Sequence, residues 1–531
     1  MTATTTTTTT TRSASPLRKV AVGILAAVGM LLLPAAALGD PRPVAAPAIP
    51  GVAALPGPVI DAGKPAATMT TLKTTPDIAL PGTAITISGA GLPAGKDVVV
   101  TWGTATVDWV LDPRADSVDY LGRKANKVTV QLATARTDAN GAFSVQLKAP
   151  QDFGGLHDIY AVMDGLQVAK GGFLVARSAS ISPKRGPIGT MITVTYTGLG
   201  ASLYEGGASL LYDNKYAGAV MANWTRGTAV VKIRAAGPVG RHTVEIADAI
   251  SFKYLNIQQA PIPWGIGFRY AFTVTKDNGR PAPRIDWPAA VAPTIDARTT
   301  LAKTGLAAGS AATASLSVTS GNVESKTDVT AAGLTPNQPV DLEWSTVVGN
   351  RVNCTGTCWS FVSVPLGNAT AAADGTLKTS IQVPDGLGGW HVVQLIQAGA
   401  IKAQIPYFVK RSFVGKSVSS LVLKEGQPFT IHLKGLGWTQ LDNTIAVDYD
   451  NSYMGYGCGF NSNGDVVMNM VATGGPGTHL IDMYPLLYTQ QPSYPNTPYG
   501  MVPVLSYERD APGLALGYQL AAMRLAITIV K

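Results

Sequence analysis

From about Thr71 onward, apolar and polar side chains alternate in short runs separated by glycine, proline, asparagine and aspartate. A period of two puts successive side chains on opposite faces of an extended backbone and predicts half-buried β-strands. The stretch Thr137–Gly165 shows the unit most clearly. Asp138 and Asn140-Gly141 supply a turn. Phe143, Val145 and Leu147 then alternate with Ser144, Gln146 and Lys148, Pro150 and Gly154-Gly155 break the run, and Ile159, Ala161 and Met163 begin a second one. Further strands are predicted at Thr83–Ser88, Asp97–Trp102, Lys127–Leu132, Met191–Tyr196, Ala229–Ile233 and Thr243–Ile246, with Thr104–Asn126 read as a long loop.

The pattern repeats. Gly91-Leu92 and Trp102 recur as Gly333-Leu334 and Trp344, and Gly141, Pro150 and Gly155-Leu-His157 recur as Gly375, Pro384 and Gly389-Trp-His391. Gly198-Leu-Gly200, Tyr212-Asp-Asn214 and Gly240-Arg-His242 recur as Gly435-Leu-Gly437, Tyr449-Asp-Asn451 and Gly477-Thr-His479, all at one offset, and Arg269 matches Arg524. Near-constant offsets, with insertions falling in predicted loops, are the mark of a duplication. The order is A1-B1-linker-A2-B2: A1 over 71–177, B1 over 178–277, A2 over 313–411 and B2 over 412–531. Residues 40–70 and 278–312 are rich in Pro and Ala and read as a tether and a linker. The fold class is all-β, four tandem β-sandwiches arranged as a duplicated A-B pair. The succession Gly-x-Gly-Leu-Pro-x-Gly, Asp-x-Asn-Gly-x-Phe, Pro and Gly-x-His resembles bacterial extracellular immunoglobulin-like repeats of the IPT/TIG type. That resemblance implies Ig-like modules of the kind found in adhesins, cell-wall proteins and accessory regions of secreted enzymes, and it is weak as a guide to function.

Composition agrees with this reading. The chain is 46% hydrophobic but only 14% charged, with 57 Gly and 36 Pro, a balance that suits many short strands and turns. The net charge of +8 comes from 41 basic residues, three of them in the leader, against 33 acidic ones. An excess so small and so spread does not point to nucleic acid. Residues 1–39 read as a signal peptide: Thr-rich, then Arg18-Lys19, then the apolar core Val20–Leu33, with Ala37-Leu38-Gly39 as a cleavage site before Asp40. The competing reading is a retained anchor, for which the apolar run is short. Cleavage would leave no membrane span and a secreted or surface location. Cys354 and Cys358 have the spacing of a small-loop disulfide in an oxidising compartment, which leaves Cys458 over.

Candidate chemistry is sparse. His157, His391, His242 and His479 occupy repeat-equivalent positions after glycine turns. They read as ligands or bases, or as rings that cap each sandwich, and one per separately packed domain favours the cap. Tyr-Asp-Asn at 212–214 and 449–451 reads as a calcium or carboxylate site, or as a hairpin turn, and it shows too few oxygens for calcium. No nucleophile-elbow, zincin or phosphate-loop motif occurs. The largest irregularity is an aromatic, Pro-rich insertion in each B domain, with Tyr254, Trp264 and Phe268 in B1 and Tyr488, Tyr494, Tyr499 and Tyr507 in B2. These are either binding loops for sugars or protein surfaces or the lining of a domain junction. The expectation is a non-catalytic surface scaffold without a cofactor, whose partner is a surface protein or polysaccharide. The rival readings are carbohydrate binding through the insertions and a secreted hydrolase.

Overall fold

The computed structural model describes residues 41–531 except 114–117, 203–204, 250–251, 260–266, 296–309, 311, 351–358, 416–420 and 488–501. The leader therefore lies outside the described residues. Gly39–Lys531 forms one compact unit. Among the described residues every long element is a strand, and no helix is long and apolar enough to cross a membrane.

One sheet pairing recurs four times. In B1, Ser178–Ser182, Met191–Thr197 and Thr228–Arg234 form a three-stranded sheet. The facing sheet runs Arg185–Gly186, Phe268–Val274, Gly240–Asp248, Gly207–Tyr212 and Lys215–Met221 in spatial order. All its neighbours are antiparallel except the first pair. A1, A2 and B2 show the same order, so the first strand of each sandwich divides between the two sheets. Inward residues of the alternation fill the cores, for example Ile85, Ile87, Trp102 and Phe173 in A1 and Val329, Leu342, Trp344 and Tyr407 in A2. A larger cluster joins B1 to residues of A1 and B2, Trp109, Tyr484, Leu505 and Tyr518 among them.

Three sequence expectations change. The long loop Thr104–Asn126 belongs instead to a hairpin of Asp97–Pro113 and Val118–Arg136, paired from Asp97 with Arg136 out to Pro113 with Val118. Ala105, Val107, Trp109 and Leu111 alternate and are buried, because the hairpin overshoots its own sandwich and lies against B1. The tether is docked: Arg42–Val44 pairs with the hairpin, and Lys64–Thr71 runs parallel to Leu166–Val175. The linker also pairs, Arg284–Asp286 against Ala522–Val530. Proline suits such edge positions because it has no N–H to leave unpaired.

Each A–B junction is a close backbone approach. Gly154 N–H donates to Leu199 O and Gly388 N–H to Leu436 O, both at 2.8 Å. A Cβ on Gly154 would sit 1.8 Å from Gly198 O, and one on Gly388 equally near Gly435 O. This explains the Gly-Gly of the repeating unit. Gly388→Ala is expected to cost about 1–3 kcal/mol through overpacking and to lower the midpoint of thermal unfolding. Gly103→Ala, where the nearest atom is 3.4 Å away, should leave the midpoint almost unchanged.

Candidate functional site

The repeated histidines form one device in two versions. Each ring stacks on an aromatic ring of a neighbouring strand. His157 lies on Trp102 at 4.3 Å and His391 on Trp344 at 4.8 Å, while His242 lies on Tyr212 at 5.5 Å and His479 on Tyr449 at 5.6 Å. In all four, Nε2 lies 2.7–2.9 Å from the carbonyl oxygen four residues earlier. In the A domains Nδ1 faces a second carbonyl, Gly103 O or Ser345 O. In the B domains Nδ1 lies 2.6 Å from a carboxylate, Asp213 or Asp450. These are the aspartates of Tyr-Asp-Asn. The motif therefore supplies a stacking ring, an acceptor, and a turn in which Asp213, Asn214, Asp450 and Asn451 all have positive φ. The second oxygen of each aspartate accepts a backbone N–H, from Thr243 or Leu480. Each ring clamps a glycine turn to the adjoining strand.

Burial opposes charge on both His479 and His391, with opposite outcomes. At His479 the Asp450 hydrogen bond and charge outweigh burial and hold the imidazole above its ordinary value. At His391, which has only carbonyls to face, burial pulls the ring down to about 4.

The strongest cluster of charge lies between B1 and B2. Asp482 and Arg524 are cross-strand neighbours, as Glu245 and Arg269 are at the equivalent place in B1. Arg269 is 62% exposed, whereas Arg524 is 1% exposed because B1 packs over it. Arg234 of B1 reaches Asp482 at 2.9 Å and donates to Leu525 O at 2.8 Å. Arg524 donates to Asp482 at 2.8 Å, to Tyr484 Oη at 3.1 Å and to Asp286 of the linker at 2.5 Å. Asn451 donates to Arg234 O at 2.8 Å. Burial raises the Asp482 carboxyl, but Arg234 and Arg524 outweigh it and keep the group below the usual carboxylate range. Asp448 sits opposite Asp482 on the next strand, and burial and the Asp482 charge push it well above that range. Two guanidiniums, Arg234 and Arg524, face Asp482 and Asp286. Asp448 and Asp482 are wholly buried, out of a substrate's reach.

The B2 insertion completes the seam. Pro503 and Val502 pair with Leu486 and Leu487, and Val504 bridges in parallel to Ala219 of B1. Leu505 N–H donates to Ala219 O at 2.9 Å, Met221 N–H to Ser506 Oγ at 3.2 Å, and Lys232 pairs with Glu508 at 3.0 Å. Asp510 accepts from Trp109 Nε1 of the A1 hairpin at 2.8 Å and from Asn223 N–H of B1. Burial raises its carboxyl to about 7.

The aromatic residues read either as binding loops or as the lining of a domain junction separate accordingly. Tyr507 is buried in the junction beside Tyr484, so its ring lines a seam and faces no ligand. Phe268 is half-buried edge-on against Tyr196 at 5.8 Å. Tyr254 is exposed. Trp264, Tyr488, Tyr494 and Tyr499 lie outside the described residues, as do Cys354 and Cys358. Sequence reading missed Arg234, Asp286, Asp482, Asp510 and Arg524. Arg234, Asp482 and Arg524 stand in the outward phase of their strands, where charge ordinarily means solvent.

No protein-family model matches the chain, and no curated protein does either. Among solved structures, Salmonella α2-macroglobulin reacted with methylamine aligns over 85% of this chain at 10% identity, with a TM-score of 0.17. The chain spans 30% of that protein's length. A putative membrane-anchored protein from Corynebacterium diphtheriae aligns over 64% of this chain and 89% of its own length, at 12% identity and a TM-score of 0.16. Scores this low transfer no property, and the all-β assignment rests on the sheets themselves.

Removing Asp482 strands two buried guanidiniums. Asp482→Ala should cost about 3–5 kcal/mol, read by chemical denaturation, whereas Arg269→Ala, which removes an exposed guanidinium and leaves Glu245 paired with Lys253, should cost less. The histidines give a pH test. The His479 contribution is complete below the unfolded value of 6.5 and is lost as pH rises through the higher folded value. The His391 contribution is present above 6.5 and is lost as pH falls toward 4. The gap in melting temperature between wild type and His479→Gln should therefore shrink from about pH 6 to about pH 9, and the gap for His391→Gln should shrink as pH falls below about 6.

Proposed function

We propose that the protein is a non-catalytic scaffold of the cell surface or extracellular matrix, made of two tandem pairs of Ig-like, IPT/TIG-type sandwiches. The observation that carries this reading is that the features most like a site are committed to the seam. The described B2 insertion aromatics, Tyr507 and Tyr518, and the Arg234–Asp482–Arg524 cluster join modules to one another. A chain that spends its aromatics and buried charge this way fixes spacing and orientation between its ends. The leader would direct export, with the mature chain starting at Asp40.

The B1 insertion favours a second reading, carbohydrate binding. Phe252, Tyr254 and Leu255 are exposed there, and such faces suit sugar rings. A glycan array and a panel of chromogenic glycosides and esters, run on the chain from Asp40 onward, separate these readings. The scaffold reading expects neither glycan signal nor turnover. Glycan binding that disappears in Tyr254→Ala would establish the second reading, and turnover would overturn both.

A further inference from the structure

Asp510 is a point where three modules meet. It belongs to the B2 insertion, in a turn closed by Ser506 Oγ donating to Asp510 O at 3.3 Å. Its Oδ1 accepts from Trp109 Nε1 of the A1 hairpin at 2.8 Å, and its Oδ2 accepts from Asn223 N–H of B1. Trp224 N–H is a third donor. The residue is 1% exposed, beside Trp109, Trp224 and Tyr507 of the largest apolar cluster.

This carboxyl is held by neutral groups. Asp482 in the same seam meets two guanidiniums, whereas among the described residues no ion pair reaches Asp510. The charged and titratable groups around it are turned to other partners. On the hairpin, Arg123 donates to Asn223 Oδ1 and Gly206 O at 3.2 Å and to Ser202 O at 2.9 Å, and it acts on Asp510 through space. Tyr120 packs edge-on against Trp109 at 5.7 Å. On the B1 loop, Arg226 turns to Asp152, Thr104 and Ala105 of A1. On its own segment, Glu508 pairs with Lys232, Arg509 lies near Gly51 of the tether, and Tyr507 faces Tyr484. The N–H donors favour the carboxylate, while removal from water favours the acid. Burial is the larger effect, so the group rests at about 7, where a small change of pH changes its charge.

We propose that Asp510 is a pH-operated latch on this three-way junction. Protonated, it leaves the A1 hairpin, the B1 loop and the B2 insertion closed on one another. Ionised, it puts an uncompensated charge among apolar rings, and the hairpin and insertion part from the B1 loop. The folded value lies above the unfolded one, so the contribution is complete below 3.8 and is lost as pH rises toward 7. Over that interval the opening equilibrium rises about tenfold per pH unit, and it levels off beyond. The latch goes beyond the scaffold reading and does not depend on it, since neither sugar binding nor turnover bears on the junction.

The test uses the chain from Asp40 onward, labelled with ¹³C at the aspartate carboxyls. The Asp510 resonance, assigned by its absence in Asp510→Asn, should titrate near pH 7. Trp109→Phe removes one donor to the carboxylate and should move that titration to higher pH. His479 also weakens the fold as pH rises, so opening is read locally, as amide protection at Asn223 relative to an unstructured chain at the same pH. Protection should fall tenfold or more from about pH 5.5 to about pH 8 in the wild type and stay level in Asp510→Asn. A carboxyl that titrates near 3.8, or that Trp109→Phe does not move upward, overturns the proposal. So does protection at Asn223 that ignores pH, or that falls equally in Asp510→Asn.

Discussion

Backbone groups on the outer edge of Lys215–Met221 must pair with something, and Val504–Ser506 is what they pair with. Much of the architecture follows from that one addition. From Val502 and Pro503, paired with Leu487 and Leu486 of B2, the chain passes to the B1 edge at Val504 and carries Tyr507 and Asp510 with it. Asp510 then meets Trp109 on the part of the A1 hairpin that extends beyond its own sandwich. The Pro-rich segments before A1 and A2 become edge strands, so stretches with the composition of flexible spacers are drawn into sheets.

Closing B2 over B1 brings two outward, polar sheet faces together, and the price is met by pairing. Arg234 from one face meets Asp482 from the other, Arg524 bridges to Asp286, and burial and the Asp482 charge raise the extra carboxyl at 448 well above its ordinary value. A buried ionic cluster adds little net stability against an apolar one. It does fix register, since each guanidinium is satisfied in one arrangement of the two sandwiches. In B1 the equivalent Glu245–Arg269 pair leaves its arginine exposed, so duplication supplied the material and burial of the arginine gave it a role in the seam.

The all-β character and the structural part of the histidines were legible because each depends on local pattern. Alternation gives strands, offset gives duplication, and a glycine turn before His157, His242, His391 and His479 gives the clamp. The hairpin from Thr104 to Asn126 was legible too, in Ala105, Val107, Trp109 and Leu111, but its length exceeded a sandwich strand and it read as loop. The aromatic part of the seam was legible as one of two readings, since Tyr507 stands in an insertion read as a binding loop or as the lining of a domain junction; its charged part was not. Arg234, Asp482 and Arg524 occupy solvent-phase positions, and nothing local to them records that another domain's outward face lies on top. Asp448 offered a trace of it: a carboxyl where the first copy has Leu211 is a strange choice unless its surroundings differ.

The joining of the two halves through the B1 edge is tested most directly by amide hydrogen exchange at that edge. Met221, whose N–H donates to Ser506 Oγ, should exchange slowly in the wild type and faster in Ser506→Ala. Fast exchange at Met221 in the wild type, or exchange unchanged by Ser506→Ala, would contradict the seam.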